Sequence, residues 1–146
     1  MRIREDKMVA LKITKGKNPH EIIEIYLNNA LENDNKIWYS TNIKMAVPKR
    51  IEKVLFFSNR ENNEFYYIAD VLDGIKGNDE KRIEEIKILE KSVPEEYKDE
   101  PRNSWLLIEN IKKIEKSDLK QYYAEKDDES LFSKVNKKRI NRVYFY

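Results

Sequence analysis

The sequence has no cysteine, one histidine, three glycines and four prolines in 146 residues. The absence of cysteine excludes disulfide bonds, thiolate metal sites and cysteine nucleophiles. With His20 as its single histidine, the chain also lacks the residues for the usual zinc sites and for most catalytic triads. The few glycines do not form the phosphate-cradling loop of P-loop proteins. We therefore expect no metal, no cofactor and no catalytic residues of these kinds.

Long apolar runs are also missing. A bilayer-spanning helix needs roughly 20 consecutive apolar residues, and no segment approaches that length. Residues 1–7 are too charged for a secretory signal. These features predict a cytoplasmic protein without a membrane partner.

What the chain does contain is charge together with aromatic residues. Charged residues make up 38% of it, apolar residues 40% and aromatic residues 11%. The surface must be densely charged, yet aromatic residues are too frequent for a disordered chain. The length suits one domain with its own core, so we predict a single domain over residues 1–146.

The formal net charge is only +2, but the basic residues concentrate near the two termini. Residues 1–20 contain six basic residues against two acidic ones, and residues 131–146 contain five basic residues and no acidic one. Residues 79–100 instead contain nine acidic and five basic residues. The chain thus has two basic ends and an acidic middle. If the two ends fold together, this distribution gives a polar surface.

Local patterns predict an α+β fold. Asn18 and Pro19 begin a helix whose apolar residues recur every three or four positions up to Leu31. Strands are predicted at about 8–14, 36–40, 54–58, 64–72, 104–108 and 139–146. A short helix is predicted at residues 117–123. The pattern of residues 81–91 fits either a helix or an edge strand. The predicted architecture is a small mixed or antiparallel, partly open β-barrel with one long N-terminal helix and one or two short helices.

The predicted strands between residues 36 and 72 are unusually aromatic. They contain Trp38, Tyr39, Phe56, Phe57, Phe65, Tyr66 and Tyr67. Flat rings beside short polar side chains are what a flipped or single-stranded base requires. The same rings are also typical of the core of a small barrel, and both interpretations stay open at this point.

The order of these strands resembles the PUA-like superfamily, particularly its EVE and ASCH branches. The similar segments are WYSTN at 38–42, VLFFS at 54–58, YIADV at 67–71 and WLLIENI at 105–111, with a short helix at 117–123. The resemblance covers about residues 36–146, so residues 1–35 would be a strand–helix extension before a PUA-like core. It implies a reader of nucleic acid, acting in RNA metabolism or in restriction and phage-defence systems.

The resemblance also implies a base-binding pocket. Its residues would be Trp38, Ser40, Thr41, Asn42, Phe57, Ser58 and Trp105. Ring stacking of this kind contributes about 1–3 kcal/mol per base. Phosphate contacts are predicted for Lys44, Lys49, Arg50, Lys137, Lys138, Arg139 and Arg142. The predicted function is a non-catalytic module that reads RNA or a modified or flipped base.

Two alternatives belong to other classes. The chain could bind a protein, as an inhibitor or immune-system antagonist, through its acidic residues 79–100 or its aromatic sheet. It could also be a metal-independent ribonuclease that uses Tyr39, Tyr66 or Tyr67 with Lys44.

Overall fold

The computed structural model describes residues 8–13, 18–32, 34–41, 43, 51–60, 63–76, 78–89 and 104–146. The predicted α+β class is confirmed in this part of the chain. The strands are β1 (Met8–Lys12), β2 (Lys36–Thr41), β3 (Lys53–Arg60), β4 (Asn63–Lys76), β5 (Ser104–Lys113) and β6 (Arg142–Phe145). The helices are α1 (Pro19–Glu32), α2 (Glu80–Leu89), a 3-10 helix (Lys116–Gln121) and α3 (Leu131–Lys134).

The six strands form one sheet in the order β2-β5-β4-β3-β1-β6. β1 pairs with β3 in parallel, and the other neighbouring strands pair antiparallel. The described strands form an open sheet with β2 and β6 as its edges, not a closed barrel. β1 lies inside this sheet, so the N-terminal strand and the later strands share one core.

Helix α1 begins where the local chemistry predicts. The Asn18 side-chain oxygen accepts a hydrogen bond from the His20 backbone N–H at 3.0 Å, which caps the first turn. Pro19 takes the first helical position, where no backbone donor is needed. After the helix, Asp34 and Asn35 adopt left-handed backbone angles (φ 58° and 62°), which these residue types tolerate. The helix therefore ends at Glu32, close to the predicted boundary.

The sheet is covered on both faces. On the first face, α1 packs Ile23 and Tyr26 against apolar residues of the strands, including Phe56 and Leu106. On the second face, the 3-10 helix and α3 cover the β3-β1-β6 end through Leu119 and other buried residues. Helix α2 covers the β2-β5-β4 end of the same face, where a separate cluster contains Trp38, Ile75, Ile83 and Trp105.

Two irregularities in the β4–β5 pairing decide which side chains reach that tryptophan cluster. The register shifts between Ile68 and Asp70 and again between Val71 and Asp73. The second shift leaves Leu72 as an extra residue, and its side chain is exposed. Because an extra residue reverses the alternation of a strand, Val71 packs toward α1 whereas Ile75 lies with the tryptophans.

The ambiguous segment at residues 81–91 is helical up to Leu89. Its Ile83 is buried against the tryptophan cluster, and this tertiary contact favours the helix over an edge strand. The hairpin between β3 and β4 closes at Arg60 and Asn63, so it is tighter than the loop predicted at 59–63. Helix α3 was not predicted from the sequence.

Candidate nucleic-acid interface

The aromatic residues of the predicted base pocket lie in the interior. Trp38 and Trp105 are 2% and 1% exposed, and Phe57 is fully buried. The two tryptophans pack under α2, whereas Phe57 packs in the other cluster of the second face. These rings therefore belong to two separate core clusters and do not meet at one open mouth in the described part of the protein.

The described polar residues of the predicted pocket, Ser40, Thr41 and Ser58, are also buried. Ser40 pairs across the strands with Trp105, on the α2 side of the sheet. The Thr41 hydroxyl accepts a hydrogen bond from the Ile43 backbone N–H at 3.1 Å, and Ser58 accepts one from the Arg60 N–H at 3.4 Å. These hydroxyls thus stabilise the ends of strands. Asn42, Lys44, Lys49 and Arg50 lie outside the described residues.

The tyrosines considered for ribonuclease chemistry lie on both faces of the sheet, Tyr39 and Tyr67 on the α1 side and Tyr66 on the opposite side. Tyr39 is buried on the α1 side between Tyr26 and Phe56, with ring centroids 4.8 and 4.5 Å away. Tyr66 is buried on the opposite side, and burial together with the charge of Glu64 raises its pKa to about 12. A hydroxyl with such a pKa is a poor proton donor or acceptor near neutral pH.

His20 and the acidic residues form no metal site in the part of the chain that is described. The His20 ring instead contacts Phe65 edge-on, with 5.0 Å between ring centroids. Its sequence position in the first turn of α1 agrees with this structural role.

Three segments that carry basic residues meet at the end of the sheet where β1 stops and β6 starts. We call this region the basic surface, and it comprises Lys12, Arg60, Lys137, Lys138, Arg139 and Arg142. The Lys12 ammonium donates a hydrogen bond to the Lys138 carbonyl at 2.7 Å, across 126 positions of sequence. The Asn59 amide donates to the Val135 carbonyl at 2.8 Å, which fixes the β3 end against the same loop. The fold therefore joins cations from three distant segments.

Like charges approach each other in this surface. Burial, followed by the positive charge of Arg60, lowers the pKa of Lys12. Lys137 has a counterion, since its ammonium lies 2.9 Å from the Glu129 carboxylate. Lys12 and Arg60 were not among the predicted phosphate-binding residues, although Lys12 was counted in the basic N-terminal segment. The pairing of β1 with β3 and β6 brings both to the predicted cluster.

A cleft of about 430 Å³ lies beside the basic surface, and we call it the β6 cleft. Its lining residues are Ala124, Glu125, Lys126, Lys134, Ile140, Arg142, Val143 and Tyr144. The Glu125 backbone N–H donates to the Tyr144 carbonyl at 2.8 Å, so the chain around residue 125 is held along the β6 edge. The Arg142 guanidinium lies over the Tyr144 ring at 5.3 Å. Arg142 thus belongs to both the cleft and the basic surface.

Comparisons of the chain with protein-family models, with curated proteins and with solved structures found no match. Among the described residues, no helix combines the length and apolar character needed to cross a membrane.

Proposed function

We propose that this chain is a non-catalytic nucleic-acid-binding module that holds the phosphate backbone at its basic surface. The observation that carries the proposal is the contact of Lys12 with the Lys138 backbone beside Arg60. The like charges of Lys12 and Arg60 repel each other in the free protein, and a polyanion that lies across them relieves this repulsion.

The resemblance of residues 36–146 to PUA-like domains supports the same class of ligand. Base stacking on Trp38, Phe57 or Trp105 is not part of the proposal, because these rings are buried in the core. The proposed ligand is single-stranded RNA or DNA, bound mainly through its phosphates.

The alternative functions have less support. The aromatic sheet is covered on both faces, which leaves no aromatic face for a protein partner in the described residues. The described part of the acidic segment, residues 79–89, has a net charge of only −1, because its four acidic residues stand against three basic ones.

The proposal is tested by the salt dependence of binding to a short fluorescently labelled RNA. With about five phosphate contacts, log K should fall with log salt with a slope of about −3.5. The double variant K138Q/R139Q should reduce this slope by about 1.4 and weaken binding by about tenfold or more at ~0.1 M salt. Fluorescence anisotropy from about 50 to 300 mM KCl measures both quantities. This range brackets ~0.1 M salt, where charges are screened over a Debye length of about 10 Å.

The matched control is K76Q/K81Q, which removes the same charge at the other end of the molecule. Lys76 ends β4, roughly 40 Å of strand away from the Arg60 hairpin. The control should keep most of the affinity. Equal losses in both double variants, or binding that does not respond to salt, would contradict the proposal. A DNA of the same sequence, with and without modified bases, tests which nucleic acid is preferred.

A further inference from the structure

The β6 cleft contains a buried cation whose hydrogen bonds are incompletely used. Lys134 is 9% exposed, and its ammonium donates to the Asp127 carboxylate. This hydrogen bond is the leading cause that lowers the pKa of Asp127, which favours the ionised carboxylate as the partner of the ammonium. An ammonium has three N–H donors. Within the described residues, Asp127 is the acceptor for one of them, which leaves two donors beside the cleft.

Two further cations and an aromatic ring line the same cleft as Lys134. Lys126 and Arg142 are exposed residues that line the cleft, and Tyr144 forms part of its wall under Arg142. Glu125 is the one acidic residue of the cleft lining, against three cations. Asp127 pairs with the Lys134 ammonium and Glu129 lies near it, but neither carboxylate lines the cleft. The lining itself therefore carries a positive charge. The volume of about 430 Å³ lies in the range of sites that hold small ligands.

We propose that the β6 cleft binds the terminal phosphomonoester of a nucleic-acid strand. A phosphomonoester offers three terminal oxygens and carries about −1.5 to −2 charges at pH 7, whereas an internal phosphodiester has two free oxygens and one charge. Three oxygens match the three cationic residues of the cleft lining, Lys126, Lys134 and Arg142. The nucleoside next to the phosphate lies toward Ile140 and Tyr144.

This inference rests on the proposed function, because Arg142 connects the cleft to the basic surface. The strand would lie along the basic surface and end in the cleft. The protein would therefore distinguish phosphorylated from unphosphorylated ends, a property that backbone contacts alone do not provide.

The test compares three RNAs of one sequence with an internal fluorescent label. One has a 5′-phosphate, one a 3′-phosphate, and one has hydroxyl groups at both ends. We expect one of the two phosphorylated RNAs to bind about tenfold more tightly than the hydroxyl-ended RNA, a gain typical of one charge-assisted hydrogen bond. The preferred end identifies the direction of the strand.

The variants K126Q and K134M should bind the preferred RNA no better than the hydroxyl-ended one, while K76Q should retain the preference. Circular dichroism shows whether K134M is folded, and the exposed K126Q provides the test if it is not. Equal affinities of the wild type for all three RNAs, with salt-dependent binding retained, would overturn the cleft inference and leave the proposed function standing.

If no RNA binds, a second measurement tests the cleft inference separately from the proposed function. Titration with 5′-UMP and 3′-UMP is followed by amide NMR shifts of the wild type. Shifts confined to residues 124–126 and 140–144 would support the cleft without the proposed function. No shift and no RNA binding would refute both.

Discussion

Replacing Tyr66 by phenylalanine is a direct test of how the second face of the sheet is packed. Tyr66 is 4% exposed and packs with Phe57 and Leu119. Within the described residues its hydroxyl makes no hydrogen bond. Burying a hydroxyl without a partner costs about 1–3 kcal/mol. We therefore expect Tyr66→Phe to raise the free energy of unfolding by about 1 kcal/mol at pH 7.

The benefit of Tyr66→Phe should grow at alkaline pH. Burial and the nearby Glu64 raise the pKa of Tyr66 to about 12 in the folded protein, and in the unfolded chain it is about 10. Between these values the unfolded state loses the proton and the folded state keeps it, so the stability of the wild type falls as pH rises. At pH 11 this difference amounts to about 1.4 kcal/mol. Phenylalanine has no such proton, and the variant avoids this loss.

Urea unfolding monitored by tryptophan fluorescence measures both effects, since Trp38 and Trp105 are buried reporters. Lysines titrate in both proteins, so the comparison uses the difference between variant and wild type at pH 7 and pH 11. The control is Tyr123→Phe, at a side chain that is 41% exposed. The reasoning is refuted if Tyr66→Phe destabilises the protein by about 1 kcal/mol or more, or if its advantage is the same at both pH values.

Three further predictions concern the core, the first helix and an ion pair. Trp105→Ala should lower the free energy of unfolding by about 3–5 kcal/mol, and under folding conditions it should bind RNA as the wild type does; a selective loss of binding would restore a pocket role. Asn18→Ala should cost about 1 kcal/mol through the lost helix cap, measured by chemical denaturation. Lys137→Met should raise the pKa of Glu129, which a hydrogen bond from Lys137 lowers, and NMR titration of the carboxyl carbon measures it. The Lys137–Glu129 ion pair stabilises the protein at neutral pH, and this stability is lost as the pH falls and Glu129 takes up a proton. If Glu129 titrates in Lys137→Met as it does in the wild type, the ion pair does not form.

Local chemistry was a good guide to the elements of this fold. The start of α1 at Pro19 follows from the Asn18 cap, and its end near residue 32 follows from the turn residues after it. Residues 81–91 stayed ambiguous because apolar spacing in so short a segment fits two structures. The packing of Ile83 against Trp105 resolves this, and sequence periodicity does not contain that contact.

The candidate site was less predictable than the elements. The basic cluster at residues 137–142 could be recognised from the sequence because no acidic residue interrupts it. Its partners Lys12 and Arg60 could not, since they reach it through β1 pairing between β3 and β6. Lys134 resembled any other surface lysine, although its burial and its contact with Asp127 make it the central residue of the β6 cleft.

The sequence by itself determined most of the strands and the first helix, and it determined that thiol chemistry and the usual zinc sites are excluded. These properties depend on residue type and near neighbours, which the sequence states directly. The tertiary structure alone decided which aromatic rings are core and which cations share a surface. A side chain's exposure depends on what packs over it, and here those covering elements, α1, α2, the 3-10 helix and α3, come from distant parts of the chain.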